Sequence, residues 1–131
     1  MASETIRPEQ LHGTWRLVAA KAVDAEGRDI RLPYGPAPMG RLVFEDSGRM
    51  MAVLCDGRVS IPDGETRSYS SYCGNYRVEN NVLTTTVDAA ALTDRIGGKQ
   101  VRKLEFRNGQ LVLIPPRRAD GEQRELFWEL I

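Results

Sequence analysis

A guanidinium, a carboxamide and two phenols recur at spacings that could gather them on one wall of a β-structure. Gln100 and Arg102 fall two residues apart in the run 99–106, where Leu104 and Phe106 continue the same alternation. Successive side chains of a strand point to opposite faces, so the face that buries Leu104 and Phe106 also carries Gln100 and Arg102. A guanidinium on such a face is costly unless it is paired or solvated. It offers up to five donors in a rigid fork, suited to a carboxylate or an enolate. Tyr72 and Tyr76 alternate through Gly74 in the run 68–78, and their hydroxyls can donate to the same kind of group. Arg102 therefore reads either as a ligand contact or as the partner of a loop acid or of the Trp15 indole. The nearest inward carboxylate is Asp46, at a turn.

Other chemistry is narrowed by what the chain carries. The single histidine, His12, lies in a short N-terminal segment and reads as part of a cap. One histidine excludes a multi-histidine metal site, and no metal or other cofactor is expected. With no inward histidine, a general base would have to come from Tyr72, Tyr76, Asp46 or Glu45. Cys55 and Cys73 have no metal-binding or redox spacing. A hairpin about Ile61-Pro62 puts Cys55 opposite Arg67 and Cys73 opposite Arg49, which predicts two free thiols.

The chain has 131 residues, enough for one domain with a real core, and its 18 basic and 18 acidic residues cancel. No basic stripe is visible, which argues against nucleic acid or anionic lipid as a partner. Residues 1–10 are polar and lack the apolar stretch of a secretory leader. No apolar run approaches the roughly 20 residues that span a bilayer as a helix. A soluble, cytoplasmic protein is expected, with a small molecule as its partner and a homodimer left open.

The elements that would position these groups are strands. Gly13-x-Trp15 opens the first, residues 15–23, and Trp15 suits the floor of a small barrel. Alternation from Trp15 sends Leu17, Ala19, Lys21 and Val23 inward, with the Lys21 ammonium reaching water at the open end. Residues 33–40 hold three prolines and two glycines and read as an ordered loop across the mouth. Strands follow at 41–45, 49–55, 68–78, 82–88, 99–106, 111–114 and 124–131, with Asn108-Gly109 the strongest hairpin signal. A short turn at residues 7–11, with Pro8 early in it, reads as a helical cap. Eight strands and short turns predict an all-β, up-and-down antiparallel barrel occupying residues 1–131, with room for one small ligand.

Several stretches carry a family resemblance. They are Gly13-Thr14-Trp15-Arg16-Leu17-Val18, Pro33-Tyr34-Gly35-Pro36 with Gly40, the hairpin from Phe44 through Gly48-Arg49-Met50, Tyr72-Cys73-Gly74-Asn75-Tyr76, Gln100-Val101-Arg102 and Trp128-Glu129. In this order, and over nearly the whole chain, the sequence resembles the bacterial and fungal lipocalin-like domain family. The resemblance implies a calycin-type barrel with a lumen open at one end. Relatives of that fold include ligand carriers and cofactor-free isomerases, cyclases and lyases. Two departures stand out. Thr84-Thr85-Thr86-Val87 replaces a histidine pair common in the family, and the chain ends Trp128-Glu129-Leu130-Ile131 where the family has an arginine after Trp-Glu. The arginine that stacks on the Gly-x-Trp indole in such barrels would have to be another, with Arg124 a candidate.

Strand phase then lists the lumen. Leu42 and Phe44 share a face, as do Met50, Ala52 and Leu54; Leu83, Thr85 and Val87; Leu111 and Leu113; and Leu126 and Trp128. The expected ligand contacts are Arg102, Gln100, Tyr72, Tyr76, Thr85, Met50, Leu42, Phe44, Tyr34, Lys21 and Trp128. Three functions fit this list. A binding protein would hold a small, largely apolar molecule with an acidic or carbonyl group. A cofactor-free isomerase, cyclase or lyase would use Arg102 or a tyrosine to stabilise an oxyanion. A fully packed barrel would serve as an interaction module.

Overall fold

Alternation of apolar and polar residues closes this chain into a barrel. The computed structural model describes residues 4–131; the first three residues of the polar N-terminal segment lie outside it. The strands are β1 (Gly13–Val23), β2 (Pro38–Phe44), β3 (Arg49–Asp56), β4 (Tyr69–Glu79), β5 (Val82–Ala90), β6 (Lys99–Arg107), β7 (Gln110–Ile114) and β8 (Gln123–Leu130). Each is antiparallel to its neighbours, and β8 pairs with β1 to complete the ring. In β3 the period of two is plain: Met50, Ala52 and Leu54 are buried while Met51 and Val53 are exposed. Closure gives every strand two neighbours and gathers one core of inward side chains from Trp15 to Trp128.

One end is sealed by tight turns. Asn80 and Asn81 have φ of 53° and 60°, and Asn108 and Gly109 have 51° and 79°, the left-handed values that two-residue hairpin loops require. The Asn81 side chain accepts from the Ile6 amide at 2.8 Å and donates to the Glu4 carbonyl at 3.0 Å, which holds the N-terminal segment across this end. The expected helical cap is a single four-residue 3-10 turn, Pro8–Leu11. Its Leu11 is fully buried, and its carbonyl accepts the Trp15 indole N–H at 2.8 Å.

Two bulges shift the phase that alternation predicts. In β1, Leu17 pairs with Trp128 but Ala19 pairs with Phe127, so one residue is extra. Beyond it Ala20 and Ala22 face in, and Lys21, expected to point inward, lies exposed on the outer surface. In β5 the slip falls at Asp88, because Cys73 pairs with Ala89 and Gly74 with Val87. Gly74 is required there: a Cβ on it would collide with the Thr86 carbonyl.

The mouth loop is also shorter than expected. Pro38 to Gly40 belong to β2, so the connection ends at residue 37; proline is tolerated as the first residue of a strand. Cys55 pairs with Tyr69 and Cys73 with Met51, each two residues from the expected partner because the β3–β4 connection is centred one residue later. An even shift keeps every face, and both thiols are free. Burial first, then the Asp88 carboxylate, push the Cys73 thiol up. Among the described residues no helix is long and apolar enough to cross a membrane.

Candidate functional site

The two ends of the barrel interior differ in kind. Toward the sealed end the space is filled. The Phe44 and Tyr76 rings meet edge to face at 5.0 Å, and the Tyr76 hydroxyl donates to the Glu45 carbonyl at 3.0 Å. Met50 pairs with Phe44 across the β2–β3 ladder and is buried with it. Phe44, Met50 and Tyr76, expected as ligand contacts, are therefore floor packing. Phe106, expected to point inward with Leu104, is half exposed at this end, its ring 6.4 Å from that of Trp15.

Toward the open end lies a cavity of about 150 Å³. Leu42, Leu54, Leu113, Leu126 and Trp128 supply its apolar wall, with Tyr72 on one side and Pro33 and Tyr34 of the β1–β2 loop at the mouth. β7 ends at Ile114 because Pro115 and Pro116 cannot donate to a ladder. The pairing of β6 with β7 starts only at Lys103 and Ile114, so residues 99–102 run on past the end of β7 beside a gap, and Pro115, Pro116, Arg118 and Glu122 of the following loop line the cavity with Arg102. Arg102 stands at this gap.

Four arginines, Arg95, Arg102, Arg118 and Arg124, reach the cavity wall against one carboxylate, Glu122. Glu122 is shared: its Oε2 lies 3.4 Å from Arg118 and 3.3 Å from Arg124. Arg95 donates to the buried Ser70 hydroxyl at 3.2 Å. Arg102 donates to Gln100 Oε1 at 3.0 Å and to the Val101 carbonyl at 2.8 Å. Among the described residues neither Arg95 nor Arg102 has a carboxylate partner. Burial pushes the Tyr72 phenol up, while the charges of Arg102 and Arg95 act the other way. The hydroxyl thus stays protonated at neutral pH and is a donor.

Three buried donors or acceptors have no partner among the described residues: Trp128 Nε1, Arg124 Nε and Thr85 Oγ1. Buried polar atoms are nearly always satisfied, and these three are exceptions to that rule. Two of the three belong to the cavity wall.

Of the residues expected at the site, the structure brings Arg102, Tyr72, Leu42, Tyr34 and Trp128 together around the cavity. Gln100 is one bond removed, holding Arg102. Thr85 faces inward between Leu83 and Val87 but lies outside the cavity wall. Arg124, the candidate to stack on Trp15, lines the mouth at the other end of the barrel. Arg95, Arg118 and Glu122 were not foreseen, since all three sit in connections where strand phase carries no information. The only sequence sign was the arginine density around Pro115-Pro116 and Arg124.

The mouth loops are tied by charge. The buried Asp56 accepts from the Arg58 backbone at 3.0 Å and from its guanidinium at 2.7 Å, and Gly35 of the β1–β2 loop packs against the Asp56 carboxylate. Glu65 bridges Arg58 and Arg31 at 3.1 and 3.4 Å. The Arg58 hydrogen bonds hold the Asp56 carboxyl below its ordinary value. A carboxyl lowered in the folded state contributes stability above its unfolded pKa, and that contribution fades as pH falls through the folded one. Exchange protection of residues 32–37 and 57–68, corrected for intrinsic rates, should therefore fall below about pH 4. Protection unchanged to pH 3 would show that Asp56 does not hold the mouth.

Comparison with known proteins agrees with this architecture. The model of the lipocalin-like domain family matches residues 12–130. A crystal structure of a lipocalin-like protein from Bacteroides uniformis superposes with a TM-score of 0.50 at 17% identity, covering 92% of this chain and 98% of that one, which speaks to the fold alone. No curated protein matches the chain. With the family match running from His12 to Leu130 and taking in all eight strands of the barrel, the chain belongs to the lipocalin-like domain family.

Proposed function

We propose that this barrel binds a small, largely apolar molecule bearing an acidic or carbonyl group, its apolar part in the lumen and its polar group toward the arginines. The observation that carries this reading is the imbalance at the cavity: four guanidinium groups face it against one carboxylate, above an otherwise apolar wall. Arg95 and Arg102 are partly buried at the cavity and have no carboxylate partner among the described residues, and an anionic ligand would supply the counter-charge through charge-assisted hydrogen bonds. An open cavity also disfavours the fully packed interaction module. Two free thiols fit a reducing compartment such as the cytoplasm.

A second reading, a cofactor-free isomerase, cyclase or lyase, draws on Tyr72, a protonated phenol beside two arginines. Such a group could donate to a developing oxyanion, and Glu122 would be the carboxylate nearest to serve as base.

Native mass spectrometry of the protein purified from its host tests both. The expected result is a small acidic molecule retained on the barrel and released on denaturation. On rebinding, hydrogen exchange should slow in residues 32–37, the loop that carries Tyr34. Conversion of the retained molecule to a product would select the second reading. A bare protein mass, with no response of that loop to a panel of small organic acids, would overturn the first.

A further inference from the structure

The four arginines that line the cavity are not equivalent. Arg118 and Arg124 share Glu122, so that side of the mouth is already partly neutralised. Arg95 and Arg102 are held only by neutral groups, the Ser70 hydroxyl, the Gln100 carboxamide and a backbone carbonyl. Tyr72 lines the same cavity, close enough to Arg102 and Arg95 for both charges to act on its phenol. Gln100 and Ser70 act as braces: each fixes one guanidinium while leaving its other N–H groups free, since a guanidinium has five donors.

Size sets a second limit. A cavity of about 150 Å³ is the volume at which an apolar protein cavity takes up benzene. The wall that would meet a flat ring includes Trp128, Tyr34 and Tyr72, and aromatic faces and edges favour such contacts.

We propose that the lumen is built for a benzoate-sized acid, a single ring with one carboxylate, clamped by Arg95 and Arg102 with the Tyr72 hydroxyl as a third donor. This deepens the lumen-binding reading and rests on it. One carboxylate is the right complement because the remaining two arginines already have Glu122; a second anion on the ligand would have to compete with it. A planar carboxylate also matches the fork geometry of guanidinium donors.

The test compares three probes, benzoate, its neutral isostere benzamide and the long-chain acid decanoate, by calorimetry and by the indole N–H resonances of the two tryptophans. Benzoate is expected to bind and to shift the Trp128 indole signal while leaving that of Trp15, which is bonded to Leu11 at the sealed end, in place. Benzamide should bind at least about 10-fold more weakly, the loss of a charge-assisted bond. Arg102→Met and Arg95→Met should each weaken benzoate binding about 10- to 150-fold, with thermal stability followed on the same samples. Equal affinity for benzoate and benzamide would overturn the clamp and leave lumen binding standing, and this comparison needs no variant to fold. A folded Arg102→Met protein with unchanged benzoate affinity would do the same. Decanoate binding more tightly than benzoate would overturn the size class. If none of the three probes shifts the Trp128 signal and no small molecule is retained from the host, lumen binding falls together with the clamp.

Discussion

Trp15→Ala should lower the stability of the barrel by about 3–5 kcal/mol, the cost of deleting a large aromatic from a core. Trp15 is 4% exposed and stands opposite Leu42 on β2 and Leu130 on β8, where the first strand pairs with both neighbours. Its removal opens a void against Phe106 and also strands the Leu11 carbonyl, which would lose the indole N–H at 2.8 Å. Both effects act in the same direction. Small domains hold only about 5–15 kcal/mol in all, so the loss is a large share of the total. Urea unfolding measures it. A loss below about 1 kcal/mol would show that Trp15 does not plug the floor. Because Trp15 is absent from the cavity wall, ligand affinity of the folded fraction should be unchanged.

Gly13-x-Trp15 alone was a weak sign of that floor; it became legible with the regular strands and turns that follow it. The strands were legible too, since apolar alternation and turn residues repeat along the chain; Asn108-Gly109 forms the tight turn its type demands. What alternation could not reveal is an extra residue. The bulge after Leu17 carries no compositional mark, yet it turns Lys21 out and Ala20 in. Nor does strand phase say how far along the axis an inward residue lies. Phe44, Met50 and Tyr76 share the inward side with Leu42 and Tyr72, but they sit in the packed half, and only the structure separates floor from cavity.

The charge of the cavity was half legible. Arg102 declared itself because it alternates with Leu104 on a strand. Arg95, Arg118 and Glu122 reach the same space from connections, where position is set by turns such as the Arg118–Gly121 hydrogen bond rather than by period. The strand break at Pro115-Pro116 links the two: it shortens β7 and lets the loop arginines reach the lumen beside Arg102. A near-neutral chain thus carries a locally cationic cavity that net charge conceals.

Gly74→Ala should cost about 3 kcal/mol or more, the upper end of what overpacking costs, although it adds only one methyl group. The reason is what that methyl would meet. A Cβ at position 74 runs into the Thr86 carbonyl and lies 3.1 Å from the Val87 Cα, both backbone, so no rotamer change can make room. β4 and β5 must separate at the bulge where Gly74 pairs with Val87. Gly48→Ala is the informative comparison. Its φ is +90° and nothing lies within 4 Å of the added atom, so its cost is conformational strain alone, about 1–2 kcal/mol. Steric collision with a paired strand should outweigh strain at an open turn, and chemical denaturation of the two variants ranks them directly. A Gly74→Ala protein as stable as Gly48→Ala would mean that the β4–β5 ladder yields at the bulge. In that case Tyr72, two residues away and opposite Ala90 across the same bulge, would not be held rigidly at the cavity wall.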